Sequence, residues 1–515
     1  MSKSFTHEPP IRTGTAKEFE HVRVALKNAQ FDEETICRAL KIEAMSDVGS
    51  VKSDTLDSTD ISAQLRILIR LFLFQRLVPR SEAERVLDTA TCDAFLSLGI
   101  MGVGKFGDDQ FYATVLLYPV GGFWIASDRH SNPDGSEFTA PPDIVFPAIY
   151  EGTLRFLRLL PQIVAEDALD LCAGSGIGAF VLSRHSRRVV SSDVTERTTQ
   201  FATFNCALNN RDNVEAVCSD LYGAMKGRTF DLIVAHPPYV PSLSIETIWR
   251  DGGMTGELVV KRIIEGSPHH LREDGTLFVL SIGLDTSEGP FEERARKWLG
   301  KKGDEFDIIF AYFEESTPIE MLKRLAAREK NLGIKELREL GEAFQAEGTI
   351  KMPYGALVMR RHAKNGHSKP WTARVKLSGE TDGRDWERAF ALHQRLSQPG
   401  FFEELQQARP ELAPSLLVQV THVVHERSLV PAEFLFKTDK PFTAFGRFDQ
   451  WMVPLIARFD GTRTPTQIYN DAIPGSELPE DFGLRDFTEL VARMIERGYL
   501  ILRDSRENER KSELH

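Results

Sequence analysis

In ALDLCAGSGIGAFVLS a run of strand-forming apolar residues ends in Asp170, and a turn containing Gly174 and Gly176 leads into a helix. Glycine lacks a Cβ, so backbone at such a turn can approach a ligand closely. By itself the turn marks a nucleotide-like ligand without choosing one, because nicotinamide and flavin proteins use it too. The residues downstream narrow the choice. Asp193 ends the next strand-like run, 23 residues after Asp170, where a carboxylate can accept from both hydroxyls of a ribose. Asp220 ends the third, in SDLYGAM, placed to accept from an adenine amine or to hold the loop that does. The fourth runs into His236-Pro237-Pro238-Tyr239. A dehydrogenase has no need of a diproline there. A transferase acting on nitrogen does, because prolines stiffen the loop, bring no competing N–H donor and leave carbonyls directed at a substrate.

These residues can share one edge only if their strands lie in a parallel sheet, and the chain from about Ala168 to His362 alternates short apolar strands with helices as such a sheet requires. Seven strands are expected: 168–172, 188–193, 214–220, 230–236, 276–283, 306–315 and 354–362. A long polar helical insertion, Pro318 to about Ala346, separates the last two. Ahead of this region, from Lys17 to about Tyr118, come helices and then a hairpin through Gly104, Gly107 and Asp108, which together suggest a winged-helix-like module. In it Ser81 and Glu84 have the spacing of a capping box, and the polar stretch Ser46 to Thr59 reads as a mobile loop. After His362, AKNGHSKPW reads as a linker. The remainder is expected to be mostly helical and again winged-helix-like, with Thr464 and Pro465 opening one helix and Gly498 closing another. The domain boundaries are therefore set at 1–135, 136–365 and 366–515 around an α/β, Rossmann-like, seven-stranded core.

A length of 515 residues is too great for one ordinary core and agrees with about three units. The formal charge of -12 opposes the broad positive field that a duplex-binding protein needs, so a nucleic-acid partner is not expected. Five scattered cysteines lack the close pairs of zinc or redox sites, and no metal is expected. The N-terminus has no secretory apolar core, and the apolar run Leu65 to Phe74 is about half a bilayer span and carries Arg66 and Arg70. That run reads as a buried helix, and the protein as cytoplasmic without a membrane partner.

The ordered set DLCAGSG, SSDVTER, CSDLYG, FDLIVAHPPYVP, RDGGMTGELVVKRII and LREDGTLFV resembles the release-factor glutamine N-methyltransferases and their small-domain relatives, within the class I S-adenosylmethionine-dependent methyltransferases. The resemblance covers roughly residues 140 to 285. From about Gln110 to Asn210 the chain is also similar to bacterial methyltransferases with a winged-helix-like module ahead of the catalytic domain. The resemblance implies S-adenosyl-L-methionine as cofactor. Asp170, Gly174 and Gly176 would line its methionine portion, Asp193 its ribose, and Asp220 with Leu221 its adenine. Cys172, Ala173, Val194 and His236 also belong to the implied cofactor site. His236, Pro237 and Tyr239 would form the methyl-acceptor site. Two positions depart from the pattern: Cys172 stands where many relatives have glycine, and His236 where they have asparagine or aspartate. In the family motif the asparagine oxygen and the first proline's carbonyl accept two N–H bonds from a planar amide or amine, and Tyr239 would stack on it. A neutral imidazole supplies one acceptor in place of the amide oxygen, and could also act as a base toward a hydroxyl or an ammonium.

Plainer roles stand beside these. Asp170, Asp193 and Asp220 could be strand-end carboxylates, His236 a loop cap, and Tyr239 a packed wall. His269 and His270 have no companion ligands, and Trp249, Arg250 and Asp251 either touch substrate or pack their loop. Three functions follow. The first is a protein or peptide N-methyltransferase whose end modules grip the acceptor. The second is a small-molecule N- or O-methyltransferase with His236 as base, of which nucleic-acid amine methylation is a weaker variant. The third is a non-catalytic winged-helix regulator that senses the cofactor.

Overall fold

The computed structural model describes residues 8–502 apart from 53–54, 57–59, 330–331, 364–368, 474–477 and 480. The chain divides into two compact units, Met1–Ile308 with Glu315–Lys364, and Ile309–Glu314 with Asn365–His515. Most of the expected linker, 364–368, lies outside the described residues, as do parts of the stretch 46–59; its beginning is a 3₁₀ helix, Met45–Ser50.

The first unit is built on a sheet whose strands we number β1 (Ala165–Leu171), β2 (Ser186–Asp193), β3 (Val214–Cys218), β4 (Phe230–Ala235), β5 (Leu271–Ile282), β6 (Phe306–Ser316) and β7 (Thr349–Arg361). A strand occurs at each of the seven expected positions, though among the described residues the sheet has nine strands rather than seven. Within the first unit the order is β7-β5-β4-β1-β2-β3, parallel except for β7, which runs antiparallel to β5, and the two-residue strand Asp285–Thr286 adds to the edge of β7. Leu232–Ala235 and Gly275–Ser281 are buried throughout, the continuous apolar run that a sheet covered on both faces demands. The sixth strand differs from expectation. Its ends belong to the first unit, but 309–314 group with the second, where the strand Thr372–Lys376 lies beside it and Leu377 N–H donates to the Tyr312 carbonyl at 2.8 Å.

Four helices matter for the site: α1 (Glu151–Leu159), α2 (Ile177–Leu182), α3 (Glu196–Asn209) and α4 (Leu258–His270). From β1 the chain winds outward to β2 and β3, then returns to the other side of β1 as β4. Ligands of open α/β sheets bind where the order reverses, outside the carboxyl ends of the strands. Here that is the crevice beyond β1 and β4.

The residues ahead of α1 belong to this same unit. The apolar run at 65–74 is a buried α-helix, Ala63–Leu68, continuing as a π-turn to Leu73. The expected hairpin pairs Met101–Val103 with Gln110–Ala113, and a second follows that the sequence reading merged with the first, Val115–Val120 with Phe123–Asp128 about Gly121-Gly122. Ser81 does not cap its helix, which starts one residue earlier at Arg80, so that Glu84 pairs with Arg80 at 2.7 Å instead. The second hairpin is bonded to α3. Asn205, fully buried, accepts from Ala126 N–H at 2.8 Å and donates to the Ala126 and Ser175 carbonyls, each at 3.0 Å. Asn209 repeats the pattern on Trp124, and a buried Arg197–Asp128 pair closes the row.

The second unit packs helices Phe401–Gln407, Pro465–Ala472 and Leu484–Glu496 around Phe436, Phe459, Phe487 and Tyr499. Thr464 caps its helix as expected, accepting from Gln467 N–H at 3.1 Å with Pro465 at the first position. Gly498, at φ +76°, ends the last helix, with Gly498 N–H on Ile495 O and Tyr499 N–H on Met494 O, the two bonds of a Schellman stop. Between these helices lies an antiparallel sheet that the sequence reading did not foresee, Leu417–His425, Ser428–Thr438 and Ala444–Phe448. Among the described residues no helix is long and apolar enough to cross a membrane.

Asn205→Ala should leave three buried backbone groups unpaired and lower the stability of the first unit by about 2–4 kcal/mol. Chemical denaturation would measure it, and a loss under about 0.5 kcal/mol would mean that the hairpin does not depend on this bond set.

Candidate active site

Beyond β1 the backbone takes positive φ at Cys172, Gly174 and Gly176 before α2 begins. A Cβ on Gly176 would lie 3.2–3.4 Å from the Phe180 ring and Ala202, whereas one on Gly174 would meet nothing within 4 Å. Gly176 is thus needed for packing, and Gly174 faces open space. Gly178 has a third role: its Cβ would stand 2.5 Å from Asp170 Oδ2, and its absence lets that oxygen accept from Ala179 N–H at 2.8 Å, in the first turn of α2. Asp193 pins the same loop from the neighbouring strand, with Oδ2 accepting from Gly174 N–H at 2.8 Å and Oδ1 from Val194 N–H at 2.7 Å, while Ala173 N–H donates to Ser192 O. The Thr198 hydroxyl and Thr195 N–H also lie close enough to Asp193 to favour its charged form. Burial pushes the Asp170 carboxyl up to about 8, helped by the Asp193 charge beside it, and burial raises Asp193 as well.

After β3, Ser219 N–H donates to Asp193 O at 2.7 Å, and the Ser219 hydroxyl bridges Leu221 O and Ala224 N–H. Leu221 is buried at positive φ, while the Asp220 side chain is exposed and paired with Arg262 of α4 at 2.9 Å. Tyr222 lies flat on His270 at 4.6 Å and fills the place of a side chain at Gly266, so His270 has a packing partner. Among the described residues no group of three or more His, Cys, Asp or Glu is placed to hold a metal.

The pairing of Leu171 with Ala235 brings Cys172 and His236 out of adjacent strands at one level. His236, half-buried, stacks between Phe156 of α1 at 5.2 Å and Tyr239 at 5.9 Å, and among the described residues neither of its ring nitrogens has a hydrogen-bond partner. Burial lowers its pKa to about 4, so the ring is neutral at physiological pH. The diproline loop is clamped from behind. Val240 N–H donates to Arg250 O and Gly252 N–H to Val240 O. A Cβ on Gly252 would lie 2.7 Å from Tyr239 Cα, and one on Gly256 would lie 2.4 Å from Tyr239 O. Asp251, buried, accepts from Glu246 N–H, Thr247 N–H and Arg250 Nε, which makes it the organiser of its loop, while Trp249 stacks on Phe146 at 4.0 Å.

The structure therefore gathers Asp170, Cys172, Ala173, Gly174, Gly176, Asp193, Val194 and His236 through Tyr239 around one crevice, with Leu221 at its side and the Asp220 carboxylate turned to Arg262. Two residues that sequence reasoning missed join them. A Cβ placed on Gly152 of α1 would stand 3.7 Å from His236 Cε1 and 3.9 Å from the hydroxyls of both Tyr239 and Tyr354, the latter from β7. Only the antiparallel return of β7 beside β5 brings Tyr354 there, and no local pattern announces it.

Residues 147–285 match the methyltransferase small domain family. The chain is 34% identical over 138 residues to a ribosomal protein uL3 glutamine methyltransferase of Xylella fastidiosa, covering 24% of this chain and 44% of that one. The corresponding enzyme of Xanthomonas campestris pv. campestris is 34% identical over 128 residues, 22% of this chain and 41% of the relative. A release factor glutamine methyltransferase of Koribacter versatilis is 30% identical over 184 residues, 33% of this chain and 65% of the relative. The chain thus spans less than two thirds of each of these relatives. Residues 147–285, which carry the glycine loop, the two strand-end carboxylates and the diproline turn, are thus the part of the chain that is similar to class I S-adenosylmethionine-dependent methyltransferases.

Proposed function

We propose that the protein methylates a planar amide nitrogen of a protein or peptide, and that the neutral, unpartnered imidazole of His236 beside the glycine loop is the observation that carries this choice. Bound S-adenosylmethionine supplies a methyl group already made electrophilic by its sulfonium. The task left to the chain is to hold a nucleophile about 3 Å away and in line. Asp170 and Asp193 set carboxyl oxygens beside the open face of Gly174, and a bound cation draws Asp170 into its charged form, which suits a cofactor carrying an ammonium and ribose hydroxyls. Leu221 would flank the adenine. A neutral imidazole accepts through one nitrogen, so it takes one amide N–H, and the Pro237 carbonyl takes the other; as the N–CH3 bond forms, the methyl–sulfur bond breaks to leave S-adenosylhomocysteine, and the methylated nitrogen, now strongly acidic, loses one proton to solvent.

The small-molecule alternative requires His236 as a base, and a ring with pKa lowered to about 4 is poorly matched to that work near neutral pH. Burial pushes the Tyr239 phenol up, only partly offset by Arg155 and Arg328, so it is a neutral wall of the site. The relatives act, by name, on glutamines of a ribosomal protein and of release factors. We also propose that 1–135, part of the first unit, and 366–515 are winged-helix-like and grip the acceptor, and that the enzyme is cytoplasmic.

Three outcomes test this. Removing the charge-assisted acceptor in Asp193→Ala should weaken S-adenosylhomocysteine about 10- to 100-fold by calorimetry, and unchanged affinity would misplace the ribose. Asp170, raised to about 8, holds a proton at pH 7 in the free protein, and a cationic ligand favours its ionised form. Binding should therefore release up to about one proton, with affinity rising from pH 6 to 8 and levelling above; a binding enthalpy identical in buffers of different ionisation heat would contradict it. His236→Asn, which still accepts an N–H, should keep activity within about 10-fold, whereas loss of a true base costs about 100- to 10,000-fold. The wild-type acid limb from His236 should lie near pH 4 and vanish in His236→Asn.

A further inference from the structure

The space over Gly152 is bounded by an imidazole edge and two phenol hydroxyls, delivered by four separate elements: α1, the end of β4, the diproline loop and β7. Tyr354 lies opposite Ile282 in the β5–β7 ladder, is buried, and has its ring 5.5 Å from that of Tyr239. Tyr239 continues to His236 at 5.9 Å and His236 to Phe156 at 5.2 Å, so the aromatic wall is unbroken from β7 to α1. A bare glycine at the second position of a helix is unfavourable to the helix, and φ at Gly152 is not in the left-handed region. A Cβ there would touch its three neighbours only at ordinary contact distance, so the fold itself does not forbid alanine.

We propose that the space above Gly152 seats the methyl acceptor's amide, and that Tyr354 is the specificity-determining residue whose hydroxyl hydrogen-bonds that amide across from His236. This rests on the amide-methylating function proposed above. With the amide's two N–H groups taken by His236 and the Pro237 carbonyl, its oxygen is left for a donor, and the Tyr354 hydroxyl, which neighbours that of Tyr239, supplies a second fixed direction there. Polar contacts at two points of a planar group define its orientation where one does not. Gly152 is then glycine because any side chain would occupy the seat.

The test uses the full chain, S-adenosylmethionine and Nα-acetylglutamine methylamide as the minimal amide probe. Tyr354→Phe, which deletes one oxygen, should raise KM for the probe about 3- to 10-fold, the loss of one neutral hydrogen bond, and leave the Kd for S-adenosylhomocysteine and the melting temperature unchanged. Gly152→Ala should raise KM at least as much while melting no lower than wild type. Unchanged KM in Tyr354→Phe, with wild type active on the probe, overturns the role of Tyr354 and spares the amide function. Equal weakening of probe and S-adenosylhomocysteine in Tyr354→Phe overturns it as well, since that marks a general loosening of the crevice. Absence of any transfer by wild type to the probe or to glutamine peptides overturns the amide function and Tyr354's part in it together.

Discussion

The crevice depends on two carboxylates that must be kept close together away from water. Asp170 and Asp193 end neighbouring parallel strands, and both are pushed toward the protonated form by burial. Each is tolerated because backbone N–H groups of a single loop turn toward it: Ala179 to Asp170, Gly174 and Val194 to Asp193. The loop is in turn shaped by those bonds, which need positive φ at Gly174 and Gly176 and a missing side chain at Gly178. A desolvated carboxylate and a turn rich in unpaired donors stabilise one another, and both remain biased toward a cation. From Asp193 the constraint passes through its carbonyl to Ser219 and fixes the next loop.

The strands of this sheet could be read from the chain because parallel strands covered on both faces need long apolar runs, and runs such as LIVA and FVLSI have no competing explanation. Loop residues with a positional requirement could be read for a similar reason: Gly176, Asp193 and the diproline are each rare solutions to a local problem. Tyr354 and Gly152 could not. Tyr354 is one aromatic residue in a strand, ordinary by every local measure, and gains its place through the reversal of β7, a topological fact 118 positions from His236. Asn205 was hidden likewise, since a polar residue in a helix reads as solvated until the hairpin that it bonds is laid against it.

In the second unit local chemistry was readable and pattern was not. The caps at Thr464 and Gly498 are short-range devices and occur where the residues predict them. The strands Leu417–His425 and Ser428–Thr438 escaped because the first is exposed along its whole length, so its side chains show no inside-outside alternation for the sequence to record. The turn between them uses Glu426 and Arg427 at positive φ, without the glycine or asparagine that normally signals such a hairpin.

An imidazole at the start of the diproline loop differs from an amide there by more than one hydrogen bond. An asparagine side chain has a fixed donor and acceptor and no titration; an imidazole can charge, and a charged ring beside a sulfonium would repel the cofactor. The surroundings remove that hazard by enclosing His236 between Phe156 and Tyr239, which holds the ring neutral. The same enclosure deprives it of strength as a base. A histidine enclosed in this way is suited to hydrogen bonding more than to proton abstraction, which fits the amide acceptor proposed above.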